Sequence, residues 1–172
     1  MNRRSIIDQI NILKKKINDL NISLNDVATN TFKTGDLAAA GNYVGDVLII
    51  PGATQGNPIN PGQIVYMTAG NIWEPAYATA AINGGSVQIG VAISTSISDG
   101  ILIRGIMKID TSYITGGALT VAAQAYLGTS TSPGGCFTST APSASGHVVR
   151  VVGHAVSADI IYFNPSPDYI EI

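Results

Sequence analysis

Charge is what this 172-residue sequence has least of: Asp, Glu, Lys and Arg together make up 12%, about half of the roughly 25% usual in globular domains. With 45% apolar residues and 19 glycines, the polar surface has to be built from Ser, Thr, Asn and Gln. Such uncharged groups cost less to desolvate than ions, which suits a surface covered by copies of the same chain. Cysteine is nearly absent as well. The single Cys136 excludes an intrachain disulfide, leaving stability to packing and association; following "SPGG", it reads as an inert strand residue. Long apolar runs are missing too. The longest uncharged stretches, Val47 to Trp73 and Thr111 to Val149, are dense in Gly, Pro, Ser and Thr, which argues against a lipid-spanning helix in either. In the opening "MNRRSII", Asp8, Gln9, Asn11 and three lysines interrupt any apolar core that follows, so no secretory signal is expected.

A net charge of −2 supplies no long-range field for nucleic acid. The charge is unevenly placed: residues 1–40 carry six Lys/Arg and four Asp/Glu, residues 41–172 three and seven. The amino end is mildly basic, which reads as a solvated helix face or as a tip for an acidic surface.

Catalytic signatures are scarce. There is no P-loop, GxSxG, HExxH or Rossmann fingerprint. His147 and His154, seven apart on what reads as one strand, would point to opposite faces about 23 Å apart and hold no common metal. Asp99 and Asp159 stand in turn contexts, "SDG" and "SAD", where Asp bonds locally. Asp46 and Glu74 would have to be paired by the fold to act on a sugar. A non-enzymatic protein without a cofactor or metal is expected.

What the sequence does have begins with a stripe. Ile6, Ile10, Leu13, Ile17, Leu20, Leu24 and Val27 follow one another at spacings of 4, 3, 4, 3, 4 and 3, an unbroken heptad seam. Ile10, Ile17 and Leu24 take the a positions; Ile6, Leu13, Leu20 and Val27 take d. Ser5 followed by Asp8 resembles a capping box, and the helix would run for about 22 residues, or about 33 Å. Asn11, Asn18, Asn21, Asn25, Ser23 and Asp19 are poor helix formers, so such a helix needs partners. Ile at a with Leu at d does not discriminate sharply between two, three and four strands. Ile7, Lys14 and Lys16 beside the seam and the lack of a buried Asn favour three. The alternative is an ordinary amphipathic helix packed on its own domain.

Beyond "NTFKTGDLAAAGN" the pattern turns strand-like. The expected organisation is a coiled-coil stalk and anchor over residues 1–30, a linker over 31–42 and a β-rich head over 43–172. Nine candidate strands, "YVGDVLII", "QIVYMT", "IWEPAYA", "SVQIGVAIS", "GILIRGIMKI", "LTVAAQAYLG", "GCFTST", "HVVRVVGHAVS" and "DIIYFN", are punctuated by Gly, Pro, Asn and Ser. That count predicts a compact β-sandwich or barrel. In "GILIRGIMKI", Ile101, Ile103, Met107 and Ile109 alternate with Leu102, Arg104, Ile106 and Lys108, so both faces need cover. A neighbouring subunit is expected to cover the second. Trp73 and Tyr77, in "GNIWEPAY", read either as core or subunit contact or as a platform for a sugar ring.

Taken together, "VGDVLIIPG", "NPGQIVYMT", "VQIGVAIST", "DGILIRGIMKI", "AQAYLGTSTSPGGCFTSTAPSASGHVVRVVGHAVS" and "IIYFNPSPD" resemble the β domains of bacteriophage fibre-type and capsid decoration proteins. The resemblance covers residues 43–168, with most of it between Tyr126 and Ser157. It implies a homotrimeric virion structural protein on the capsid surface, a head fibre or decoration protein held to capsid proteins by its N-terminal segment, without membrane insertion. The competing expectation is a tail-fibre-like adhesin for a host surface glycan or receptor, with its site around Trp73, Tyr77 or the Ser/Thr-rich loop from Thr129 to Ser145.

Overall fold

In the computed structural model the described residues are 14–16, 37–79, 83 and 85–172. The chain divides into two compact units, Met1–Lys33 and Thr34–Ile172. Lys14–Lys16 are helical and exposed; the seam residues Ile6, Ile10, Leu13, Ile17, Leu20, Leu24 and Val27 lie outside the described residues. The second unit takes in residues that the sequence assigns to a linker: Leu37 is buried, and Gly41 and Asn42 bond across to the Lys108 backbone.

The second unit is mainly β, with twelve strands among the described residues: β1 Tyr43–Leu48, β2 Thr54–Gln55, β3 Ile64–Met67, β4 Ile72–Pro75, β5 Ile89–Ala92, β6 Ile101–Lys108, β7 Gln124–Leu127, β8 Phe137–Thr138, β9 Val148–Val149, β10 Val151–Ala155, β11 Ile160–Phe163 and β12 Ile170–Glu171. Ten form one large mixed sheet, and β9 and β12 form a small ribbon. Only β2 against β4 is parallel among the named pairs.

The sheet forks at β6, the longest strand. One edge of β6 pairs with β1 along nearly its whole length. The other edge is shared, with β5 on Ile101 and Leu102 and β11 on Gly105 to Lys108. One wing therefore runs β6-β5-β3-β4-β2 and the other β6-β11-β10-β7-β8. Ile64, Tyr66, Ile89 and Val91 from the first wing join Leu127, Phe137, Val152, Ile161 and Phe163 from the second in one buried cluster. Phe137 and Phe163 meet edge to face, their centroids 6.4 Å apart, as the aromatic quadrupole favours.

A bulge in β6 departs from the simple alternation. Asp46 pairs with Arg104 and Val47 with Leu102, so Ile103 is an extra residue on β6. The extra residue resets which side each following residue faces. Leu102 and Met107, of opposite parity, consequently reach the same core, while Ile101 faces the other way into a second cluster with Ile59, Val65, Trp73 and Ala92.

That second cluster changes the account of the two-faced strands. The outer face of the first wing is covered by the chain itself, through Leu48, Ile50, Ala53, Ile59 and Ile97. A subunit contact is not needed there. The stretch "HVVRVVGHAVS" is also not one strand. It breaks at Arg150: β9 pairs with β12, whereas β10 pairs with β7 and β11. His147 lies before β9 and His154 on β10, so the single-strand separation expected for them does not apply.

Candidate functional site

Trp73 does not reach solvent. It is 2% exposed in the second cluster, so its ring has no free face for a sugar. Tyr77, four residues on, emerges half-buried beside a groove of about 390 Å³. The end of β4 at Pro75, and not the strand period, separates the two: Trp73 points into the outer cluster, and the chain has left β4 before Tyr77.

The groove is assembled from four segments. The hairpin β3–β4, closed by the Thr68–Ile72 turn with Asn71 at φ 58°, sets Tyr66 opposite Glu74. The Tyr66 hydroxyl donates to Glu74 Oε2 at 3.1 Å and so orients the carboxylate. Burial, then the Glu74 charge, pushes the Tyr66 phenol up to about 12, which keeps it a donor. Gly56, tied by its N–H to the Trp73 carbonyl at 3.1 Å, passes beside Glu74 where a Cβ would stand 2.5 Å from Oε1.

The opposite wall is the loop between β7 and β8, which contains the cis Ser132–Pro133 bond. Its anchor is Gln63, 4% exposed. Gln63 Nε2 donates to the Gly134 carbonyl at 2.8 Å, and Oε1 accepts from the Asn60 N–H at 2.6 Å. Backbone bonds continue the lacing: the Gly135 N–H reaches Ala76 at 2.7 Å, and the Ile64 N–H reaches Gly135 at 2.8 Å. Cys136 is buried, with its thiol donating to the Pro133 carbonyl at 3.1 Å; burial pushes its pKa up, in keeping with an inert residue.

The groove thus has fixed walls and an unfilled polar lining. Among the described residues, Glu74 Oε1, the Asn57 amide and the Thr131 and Ser132 hydroxyls are left for an incoming partner. The described lining holds one carboxylate and no Lys, Arg or His.

Three other carboxylates are engaged elsewhere. Asp46 forms an exposed ion pair with Arg104 at 2.7 Å. Asp159 accepts from the Ser157 hydroxyl at 2.9 Å and pairs with Lys108 at 3.3 Å. Asp110 accepts from the Ser112 N–H at 2.9 Å, which holds its carboxyl below the usual range. Among the described residues no three of His, Cys, Asp and Glu gather as metal ligands. The Ser/Thr-rich loop contributes a second groove of about 260 Å³, where Thr138, Thr140, Ser143 and His147 meet without a tyrosine or a carboxylate.

Sequence reasoning named Tyr77 but missed Glu74 and Gln63 as parts of one site. The signal for Glu74 was present in the spacing: a short turn at "TAGN" in "VYMTAGNIWEP" places Tyr66 and Glu74 in register. No local signal brings Gln63 to Gly134, 71 residues away. No family model, curated protein or solved structure matches this chain.

Proposed function

We propose that this chain is a non-enzymatic, homotrimeric virion structural protein, a head fibre or decoration protein on a phage capsid. In this reading residues 1–30 form a parallel coiled-coil stalk whose first residues dock on capsid proteins, and the β unit projects outward. The observation that carries it is the unbroken heptad seam from Ile6 to Val27, joined to a β unit that is compact in its own right. An apolar seam of that period is buried by equivalent seams from other chains. Association is further supported by apolar groups exposed on the single chain, notably Ile170 at 68% and Ile172 at 47% on the C-terminal ribbon.

Mass is the first test. Light scattering of the intact protein should give three times the 17.8 kDa of one chain. Ile17→Asp combined with Leu20→Asp should abolish the oligomer, because charges in the seam cannot be desolvated without partners. An unchanged mass removes the coiled coil. Deleting residues 1–9 should preserve the oligomer and abolish co-sedimentation with capsids; retained co-sedimentation places the docking surface elsewhere.

A further inference from the structure

We infer that the groove between β4 and the β7–β8 loop is a binding subsite for a neutral saccharide. The inference is independent of the virion reading, since it concerns the β unit alone.

Four observations converge on this ligand class. The groove's volume of about 390 Å³ falls within the roughly 300–1,000 Å³ of small-molecule sites. Its chemistry is that of a polyhydroxylated ring: one oriented carboxylate, an amide, two hydroxyls and a half-exposed tyrosine. A carboxylate that accepts from Tyr66 through one oxygen keeps the other for a sugar hydroxyl, and hydrogen bonds to a charged acceptor are the stronger kind. An apolar body with a polar tip lets Tyr77 meet both the C–H face and the hydroxyls of a pyranose.

Charge narrows the class. With Glu74 on the wall and no cationic side chain in the described lining, a sialic or uronic acid would bring a second carboxylate into the groove without compensation. Neutral hexoses and their N-acetyl derivatives meet no such repulsion.

Rigidity also favours binding. Gln63 and the Gly135 backbone bonds hold the far wall, so little loop ordering is required on binding. The Thr/Ser-lined groove beside His147 offers hydroxyls without a tyrosine or a carboxylate, and it serves as the internal control.

The test uses the purified full-length protein and saturation-transfer NMR with methyl glycosides of glucose, galactose, mannose and N-acetylglucosamine, with 3′-sialyllactose as the anionic probe. At least one neutral glycoside should show transfer, and sialyllactose should show none through its sialic acid. Glu74→Gln and Tyr77→Ala should each weaken that binding by about tenfold or more, while His147→Ala leaves it unchanged. Asn57→Ala, at an exposed position, should weaken it without touching the core, so a misfolded Tyr77 variant does not stop the test. Binding to none of the neutral glycosides, binding indifferent to Glu74→Gln and Asn57→Ala, or a preference for the sialylated probe would overturn the inference. The seam variant Ile17→Asp with Leu20→Asp reports on the oligomer separately, so the two proposals fail independently.

Discussion

Gly45 and Gly105 are register partners across β1 and β6, so close that a Cβ on Gly105 would stand 2.7 Å from the Gly45 Cα and nearer still to the Val44 carbonyl oxygen. Both glycines have positive φ, 157° and 151°. The pair lies just past the Ile103 bulge, where β6 must pass close to β1 while its other edge turns from β5 to β11. The same row continues through Phe163 and Gly153, so a fully buried ring has glycine on either side of it.

Gly105→Ala should therefore force β1 away from β6 and cost on the order of 3 kcal/mol. Gly116→Ala is the matched control: its φ is 84° but nothing lies within 4 Å of a Cβ there, so it should cost only the left-handed strain of roughly 1–2 kcal/mol. Urea midpoints for the two variants check this. Equal losses would mean that backbone strain, and not the close approach, dominates at Gly105.

Arg150 joins three segments from a buried position, 6% exposed. Its Nε donates to the Ser166 carbonyl at 2.9 Å, and Nη1 donates to those of Gly85 and Val87, both at 2.8 Å. Burial lowers its pKa, yet guanidinium stays charged throughout the working range. Arg150→Met should cost about 3–5 kcal/mol by leaving these carbonyls without donors. Arg150→Lys should recover only part of that, since one ammonium cannot span the same fork of acceptors. Thermal and urea unfolding of both variants would measure it; full stability in the lysine variant would show that the charge alone suffices.

Alkaline stability should depend on Tyr66. Its phenol is raised by burial, and next by Glu74, from 10.0 to about 12. Below pH 10 both the folded and the unfolded chain hold the proton, and the group's contribution to stability is fully present. Between pH 10 and 12 the unfolded chain releases it while the fold retains it, so stability falls as pH rises. Tyr66→Phe should flatten this part of the profile, read as the change in urea midpoint across that window. Identical slopes in the two proteins would show that the fold does not hold the proton.

Much of the architecture follows from local chemistry. Apolar and β-branched stretches between Gly, Pro and Asn turns specify strands because that composition packs on a pleated surface and breaks at the turns. The stretch over β6 announces burial on both faces by the same logic, and the heptad spacing of Ile6 to Val27 is a property of the amino-acid order itself. Strand boundaries inside long apolar stretches are harder to see. The break at Arg150 within "HVVRVVGHAVS" depends on which distant strands take up the two halves.

Sequence by itself determined a mainly β chain with little charge and an apolar seam at its amino end. Tertiary structure decided the fork at β6, the reset of alternation at Ile103, the burial of Trp73, and the meeting of Gln63, Glu74 and Tyr77 with the Ser132 loop. The reason is physical. Side-chain periodicity is fixed within a few residues of chain, whereas backbone ladders accept almost any residue, so partner and register are chosen by which arrangement closes the shared core.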